Sequence, residues 1–142
     1  MELNNRQKRI AADAAYLFSK IDLSRLEEKT ILVTGAAGFL GSNIIWMLVH
    51  YNNVMAKKKI RIIAHGRDIL RLHEVFGQQQ NLIFHDFELS SEQPFCQIDY
   101  IIHAASKSSP TYFFSNAIDI LKANTFGTEN MIRLEVSCNA SL

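Results

Sequence analysis

TILVTGAAGFLGS, residues 30–42, is the stretch whose reading decides the fold. Thr30 to Thr34 is a short apolar run rich in β-branched residues and reads as a buried strand. Gly35, Gly38 and Gly41 follow at intervals of three, and Leu40, Ile44, Ile45, Leu48 and Val49 then recur at helical spacing. Strand, glycine turn and helix, in that order, form the setting in which a glycine pattern becomes a phosphate-binding hypothesis. Backbone N–H groups at a helix N-terminus can meet a diphosphate only where no side chain blocks the approach, and the helix dipole favours an anion there. One glycine permits the tight turn, one the close approach and one the packing of helix on strand. Read without that setting, the same glycines are turn residues only.

Outside this stretch the composition is that of a globular domain. A chain of 142 residues fits one domain. Its 48% hydrophobic and 20% charged residues exclude a disordered chain. Residues 1–29 hold six Lys/Arg against five Asp/Glu, and residues 30–142 hold nine against nine, so no basic stripe points to nucleic acid. The one basic run, Lys57-Lys58-Lys59, precedes a strand and reads as a solvated loop. Cys96 and Cys138 make neither a disulfide framework nor a metal cluster and read as thiols in a reducing compartment. No apolar run approaches the roughly 20 residues that span a membrane. The charged N-terminus, with Glu2, Arg6, Lys8 and Arg9, is unlike a secretory signal. The expectation is a cytoplasmic protein with neither a membrane nor a nucleic-acid partner.

Residues 1–29 precede the first strand. Ile10, Ala14, Leu17, Phe18 and Ile21 mark an amphipathic helix over Asn4 to Lys20, with a short turn from Ser24 to Lys29. This extension reads as a packed helix; covering the sheet edge and mediating a homodimer contact are the other roles open to it. The helix after the glycine turn is expected to end near His50 to Asn53. Ile60 to Ala64 is a second strand, far enough along the chain for a right-handed crossover and hence parallel to the first. Asp68 to Phe76 is a short helix with Asp68 as N-cap and Gly77 as C-cap. Leu82 to His85 is a third strand. Leu89 to Gln97 is a loop or irregular helix containing Pro94, and Ile98 to His103 is a fourth strand. Phe113 to Val136 reads mostly as helix, with Ile118, Leu121, Thr125, Thr128, Ile132 and Val136 available for packing. The fold class is expected to be α/β: a Rossmann-type doubly wound parallel sheet, truncated after about four strands in order 3-2-1-4, with an extra N-terminal helix. Residues 1–29 form the helical extension and residues 30–142 an NAD(P)-binding domain.

The GxxGxxG spacing differs from the GxGxxG of the usual dinucleotide fingerprint. With Thr34 in front, it resembles the TGxxGxxG motif of short-chain dehydrogenases/reductases, and most of all their extended branch of nucleotide-sugar epimerases, dehydratases and decarboxylases. Three further matches follow in the branch's order: Asp86-Phe87, DYIIHAAS at 99–106 and NTFGTEN at 124–130. The resemblance covers about Lys29 to Val136 and is specific for the branch, not for one reaction within it. It implies that Gly35, Ala37, Gly38, Phe39, Leu40 and Gly41 hold the cofactor diphosphate. Asp86 would accept from the adenine amino group, with the Phe87 backbone nearby. Ala104, Ala105 and Ser106 would line the cofactor, where only small residues let backbone pass close. Ser106, Lys107 and Ser108 would lie on the sugar-nucleotide side, and Asn124 would buttress the site by bonding to main chain of the neighbouring strand. His103 reads as a packed strand-end histidine rather than a base or a ligand, since no second metal-type ligand keeps company with it. Asp99 reads as structural.

The end of the second strand sets cofactor preference: an acid there bonds the adenosine ribose, and an arginine accommodates a 2′-phosphate. The sequence is Ala64-His65-Gly66-Arg67-Asp68. Arg67 placed at this turn would face the adenosine. There it either pairs with the 2′-phosphate of NADP, at about 1.5–3 kcal/mol for a charge-assisted bond, or stacks on adenine and accepts NAD. A slip of one or two residues would bring Asp68 to the ribose. The family resemblance favours NAD.

Catalysis in the resembled enzymes rests on a Ser/Thr and a YxxxK pair on the fifth strand and the helix after it, beyond Val136. No catalytic residue is assigned within this chain. Lys20 stands four residues after Tyr16, but in the extension outside the common fold. The expectation is the NAD(P)-binding portion of a nucleotide-sugar epimerase, dehydratase or decarboxylase, without turnover by itself. The alternative is a standalone NAD(P)-binding or regulatory module completed by a partner chain.

Overall fold

The computed structural model describes residues 5–87, 97–106 and 117–142. Its centre is β1 (Thr30–Thr34), buried along its whole length. It pairs in parallel with β2 (Arg61–His65) on one side and β4 (Tyr100–His103) on the other. β3 (Leu82–His85) joins β2 at the outer edge, so the sheet runs β3-β2-β1-β4, as expected from the crossovers. The strands end level. His85, His65, Thr34 and His103 are register partners in one row across the C-terminal edge.

Alternation along the strands divides two cores. Ile31, Val33, Ile62 and Ala64 meet Ile45, Leu48 and Val49 of α2 (Phe39–Val54) and Leu72 and Phe76 of α3 (Ile69–Phe76). Leu32, Ile63 and Ile101, one residue out of phase, meet Met131 and Leu134 of α4 (Ala117–Cys138) on the other face. Each such fully buried side chain contributes about 1.5–3 kcal/mol. Helices therefore cover both faces, the doubly wound arrangement.

The extension adds a third layer. α1 (Asn5–Phe18) buries Ile10 and Ala14 and sets Phe18 edge-on to Tyr51 of α2, ring centres 5.4 Å apart. After a single 3-10 turn at Ser24–Leu26, Glu27 fastens the chain. Its carboxylate accepts the Tyr51 hydroxyl (3.0 Å) and the amides of Lys57 (3.1 Å) and Lys58 (2.9 Å). The lysine run is thus held by its backbone while its side chains stay exposed.

Several boundaries differ from the sequence expectation. α2 continues to Val54, and β2 runs one residue later, which brings His65 into the strand. β4 is shorter because Asp99 turns to bond the start of β1. Its amide donates to Thr30 O (2.9 Å), and its carboxylate accepts the Thr30 amide (2.8 Å) and Lys29 Nζ (2.9 Å). The packing face of α4 is a correction. Ile120, Gly127, Met131 and Leu134 are buried, whereas the expected Ile118, Leu121, Thr125, Ile132 and Val136 are exposed and Thr128 is half-buried. The helix carries two apolar stripes, and periodicity alone cannot choose between them; the stripe that includes the side-chain-free Gly127 is the one laid on Leu32 and Ile63. The Pro94 segment up to residue 96, and residues 113–116, lie outside the described residues. After α4, Ser141 bridges Tyr100 in parallel on the outer side of β4. The Ile101 amide donates to Ser141 O (2.7 Å) and the Ser141 amide to Asp99 O (2.9 Å). Among the described residues, no helix is long and apolar enough to cross a membrane.

Candidate functional site

The site is built where β1 turns into α2, and its glycines have three different reasons. Gly35 has φ +65°, a left-handed conformation that side chains disfavour. A Cβ on it would stand 2.5 Å from Ala104 O, so the turn also lies directly against the backbone that leaves β4. A Cβ on Gly41 would run into the Gly35 carbonyl, so this glycine sets how closely α2 approaches the turn. Gly38 is exposed, and a Cβ there would meet only Gly35 O, at 3.0 Å. It is also the N-cap of α2 and supplies no side-chain cap. The first N–H groups of α2 have no intrahelical acceptor, so the uncapped end offers donors and the positive end of the helix dipole to an anion. This cradle, narrow where backbone must pass and open where a ligand must enter, fits the diphosphate of a dinucleotide. Ser42 closes it from below, with Oγ donating to Gly38 O at 2.5 Å. Phe39 and Leu40, 82% and 65% exposed, stand at its mouth, and Ala37 is half-buried beside it.

Thr34 ties the turn to β4. Its Oγ1 lies 2.7 Å from Nδ1 of His103 and accepts the Ala105 amide at 3.3 Å. With the Thr34 hydroxyl as donor, Nδ1 accepts and Nε2 carries the ring proton; with the other tautomer, Nδ1–H donates to the same oxygen. Burial pushes the His103 pKa below its ordinary value, which keeps the ring neutral. His103 is therefore a packed, neutral strand-end histidine. Ala104 and Ala105 are half-buried beside the glycine turn, and Ser106 is exposed at the rim. Lys107 and Ser108 lie outside the described residues.

On the other flank, the Ala36 amide donates to His65 O (2.9 Å), joining the glycine turn to the end of β2. His65 is 1% exposed. Its Nε2 donates to Phe87 O at 2.7 Å, and its ring stacks on Phe87 with centres 4.1 Å apart. Together with the Gly66 amide, which donates to His85 O (3.0 Å), this positions the Asp86-Phe87 segment beside Gly66 and Arg67. Asp86 and Arg67 are exposed there. Asp68 is the N-cap of α3, with Oδ1 accepting the Arg71 amide at 3.0 Å. Its Oδ1 serves the helix, and the side chain is exposed two residues beyond Gly66, where β2 has just ended one residue later than expected.

Asp99, Tyr16 and Lys20 stand apart from this edge. Asp99 lies at the opposite end of the sheet; the Thr30 amide and then the Lys29 ammonium hold its carboxyl below the usual carboxylate range. Asn124 is exposed on α4, and its carbonyl accepts the Thr128 hydroxyl at 2.6 Å. Tyr16 and Lys20 have the YxxxK spacing. Tyr16 is 67% exposed, and Lys20 lines a hollow with Met55 and Lys57 at the far end of α2, away from the glycine turn. That hollow rules the pair out as partners of a ligand held at the turn. Among the described residues, no three His, Cys, Asp or Glu side chains group as a metal would require. Sequence reasoning missed the tie from Thr34 to His103 and the inward turn of His65. The signal was present: three of the four strands end on histidine, in one register.

The model of the NAD dependent epimerase/dehydratase family matches residues 31–141. Among curated proteins, the chain is 34% identical over 123 residues to UDP-glucuronic acid decarboxylase 1 of Danio rerio, covering 84% of this chain and 28% of that protein. It is 32% identical over 109 residues to UDP-glucuronic acid decarboxylase 6 of Arabidopsis thaliana, covering 73% and 29%. The chain thus spans less than a third of the length of these relatives. Among solved structures, it superposes with a TM-score of 0.62 on DesIV, a dTDP-glucose 4,6-dehydratase from Streptomyces venezuelae solved with NAD bound, at 23% identity over 78% of this chain and 37% of that one.

Proposed function

The chain belongs to the NAD dependent epimerase/dehydratase family, and from that premise we propose that residues 30–142 form the NAD-binding portion of an enzyme that remodels a nucleotide sugar by epimerisation, dehydration or decarboxylation. The observation that carries this reading is the division of labour among Gly35, Gly38 and Gly41 at an uncapped helix N-terminus. The names of the relatives add support, since they act on UDP-glucuronic acid and dTDP-glucose. Bound NAD supplies a hydride acceptor for a sugar carbon. The residues of this chain bind and orient. The amides at the start of α2 take the diphosphate, with Phe39 and Leu40 shielding it. Asp86 and the Phe87 backbone take the adenine, while His65 holds that segment in place. Ala104 and Ala105 leave room at the nicotinamide end, where Thr34 and His103 fix the backbone. Ser106 faces the sugar nucleotide.

On this reading the 142-residue chain binds NAD and does not turn over a UDP- or dTDP-sugar. Calorimetric titration tests the first part. Saturable binding that Gly41→Ala abolishes supports it, and no binding by a folded chain overturns it. A robust rate with any such sugar overturns the second part.

A second reading, a non-catalytic NAD(P)-binding or regulatory module completed by a partner chain, is favoured by the exposed Ile118, Leu121, Ile132 and Val136 of α4. Sedimentation of the purified chain tests the homodimer form of it. A monomer at every concentration would remove the copy itself as that partner.

A further inference from the structure

A site that recognises a base by hydrogen bonds rejects the wrong base only if its polar groups are held in place before the ligand arrives. The segment Asp86-Phe87 leaves β3, the outer strand of the sheet, and the Asp86 side chain is exposed. What fixes this segment comes from β2. His65 lies two residues after Ile63 and therefore on the same face of the sheet. Phe87 packs on that face, against the cluster that holds Leu32, Ile63 and Met131. There the His65 ring, 1% exposed, stacks on Phe87 with centres 4.1 Å apart, and Nε2 donates to Phe87 O at 2.7 Å.

A ring buried this completely presents its donor in one direction, and a carbonyl bonded to it cannot turn outward. On the other side of Asp86, the Gly66 amide holds His85 O at 3.0 Å. Asp86 is thus the middle residue of three, with both neighbours pinned and its own side chain left to solvent. The main chain of His65 has a separate duty, since its carbonyl accepts the Ala36 amide of the glycine turn at 2.9 Å. Side chain and main chain therefore serve different ends of a dinucleotide, and a side-chain substitution separates them.

We propose that His65 is a positioning residue that sets the preference of the site for adenine over hypoxanthine. It does not touch the ligand; it holds Asp86 where the carboxylate accepts the adenine amino group. The proposal rests on the dinucleotide reading above and names what enforces its choice of base. Hypoxanthine carries an oxygen in place of that amino group, so it sets acceptor against acceptor with no proton between them. A fixed carboxylate rejects it, whereas a carboxylate free to swing aside tolerates it.

The test is calorimetric titration of the whole chain with NAD and with its deamino analogue, which carries hypoxanthine in place of adenine. NAD is expected to bind at least about tenfold more tightly, the scale of one bond to a charged group. His65→Phe keeps a ring and loses the donor, and the preference should fall to within about threefold as that bond is lost. His65→Gln keeps a donor near the position of Nε2 and should restore most of the preference. Circular dichroism checks the fold of both variants. A role in stability alone weakens both ligands by the same factor; an unchanged ratio in His65→Phe therefore overturns the proposal, as does a loss in His65→Gln as complete as in His65→Phe. A second measurement needs no variant. In the unaltered chain the Nε2–H resonance of His65 should move when NAD binds and stay in place with nicotinamide mononucleotide, which lacks the adenosine half. Movement with both, or with neither while NAD binds, overturns the proposal. Binding of NAD and its analogue with equal strength overturns it too and leaves the dinucleotide reading standing, whereas binding of neither by the folded chain overturns both.

Discussion

Oγ1 of Thr34 lies 2.7 Å from Nδ1 of His103, and the same oxygen accepts the amide of Ala105 at 3.3 Å. One buried hydroxyl thus joins the last residue of β1 to the last residue of β4 and to the backbone that follows it. The row of strand ends becomes a single shelf beneath the glycine turn.

Thr34→Val keeps the shape and removes the hydroxyl. Loss of this link should cost about 1–2 kcal/mol, because a half-buried imidazole nitrogen and an amide lose their partner. In the wild-type chain the ring nitrogen shifts of His103 should report the Nε2–H tautomer, and in the variant a mixture. A wild-type spectrum dominated by Nδ1–H would show that the hydroxyl is not the donor.

Burial lowers the pKa of His103, so the unfolded chain takes up its proton more readily than the folded one. The sign follows from proton linkage: this contribution to stability is present above the unfolded value of about 6.5 and is lost as the pH falls through that value toward the folded one. Urea midpoints at pH 7.5 and 5.5 should differ more for the wild type than for His103→Asn, which keeps an acceptor but does not titrate. Equal differences would refute the assignment.

Asp99 has the opposite arrangement of charge. The Thr30 amide and the Lys29 ammonium stabilise its carboxylate, so its contribution is present above the usual Asp pKa and lost as the pH falls through the lower folded value. The Lys29–Asp99 side chains are 44% and 36% exposed, which screens the ion pair and leaves the amide bond as the main term. Asp99→Asn should therefore cost about 1 kcal/mol and change little between low and high salt. A loss that vanishes in high salt would mean that the ion pair is the larger part.

Gly41→Ala and Gly77→Ala separate binding from backbone strain. The first forces a Cβ into the Gly35 carbonyl and should abolish dinucleotide binding with helix content retained. The second places alanine at φ +59° with no heavy atom within 4 Å of the new Cβ. It should cost about 1–2 kcal/mol of stability and leave binding unchanged. If the two variants bind alike, the glycine turn is not the site.

The face of α4 can be checked in the same way. Leu134→Ala should cost about 2–5 kcal/mol, as for a core leucine, while Val136→Ala should stay within about 0.5 kcal/mol in a monomer. The reverse order would restore the face that periodicity suggested.

Most of the sheet was legible because its determinants are local. Thr30 to Thr34 and Leu82 to His85 are strands as their β-branched and aromatic runs indicated, and Asp68 and Gly77 cap α3 as their chemistry required. The glycine cradle was legible because each glycine meets a demand set by its nearest neighbours. What escaped is set by partners distant in sequence. Ile118 and Ile120 are equally apolar, and only the sheet decides which is buried. His65 fell outside the expected strand, Ile60 to Ala64, and it is Phe87, two residues beyond β3, that draws it inward. Asp99 shortens β4 by reaching back to Thr30, which no window around residue 99 contains.

Asp99 has one further consequence. Its amide, its carbonyl and its carboxylate hold three segments at once: the start of β1 at Thr30, the start of β4, and Ser141 after α4. All of these bonds converge on one residue. The amides of Thr30, Asp99 and Ser141 should therefore exchange with solvent deuterium as one cooperative unit, at one rate and with one denaturant dependence. The corner of the sheet remote from the glycine turn then behaves as a hinge pin, about which β1, β4 and the segment after α4 open together or not at all.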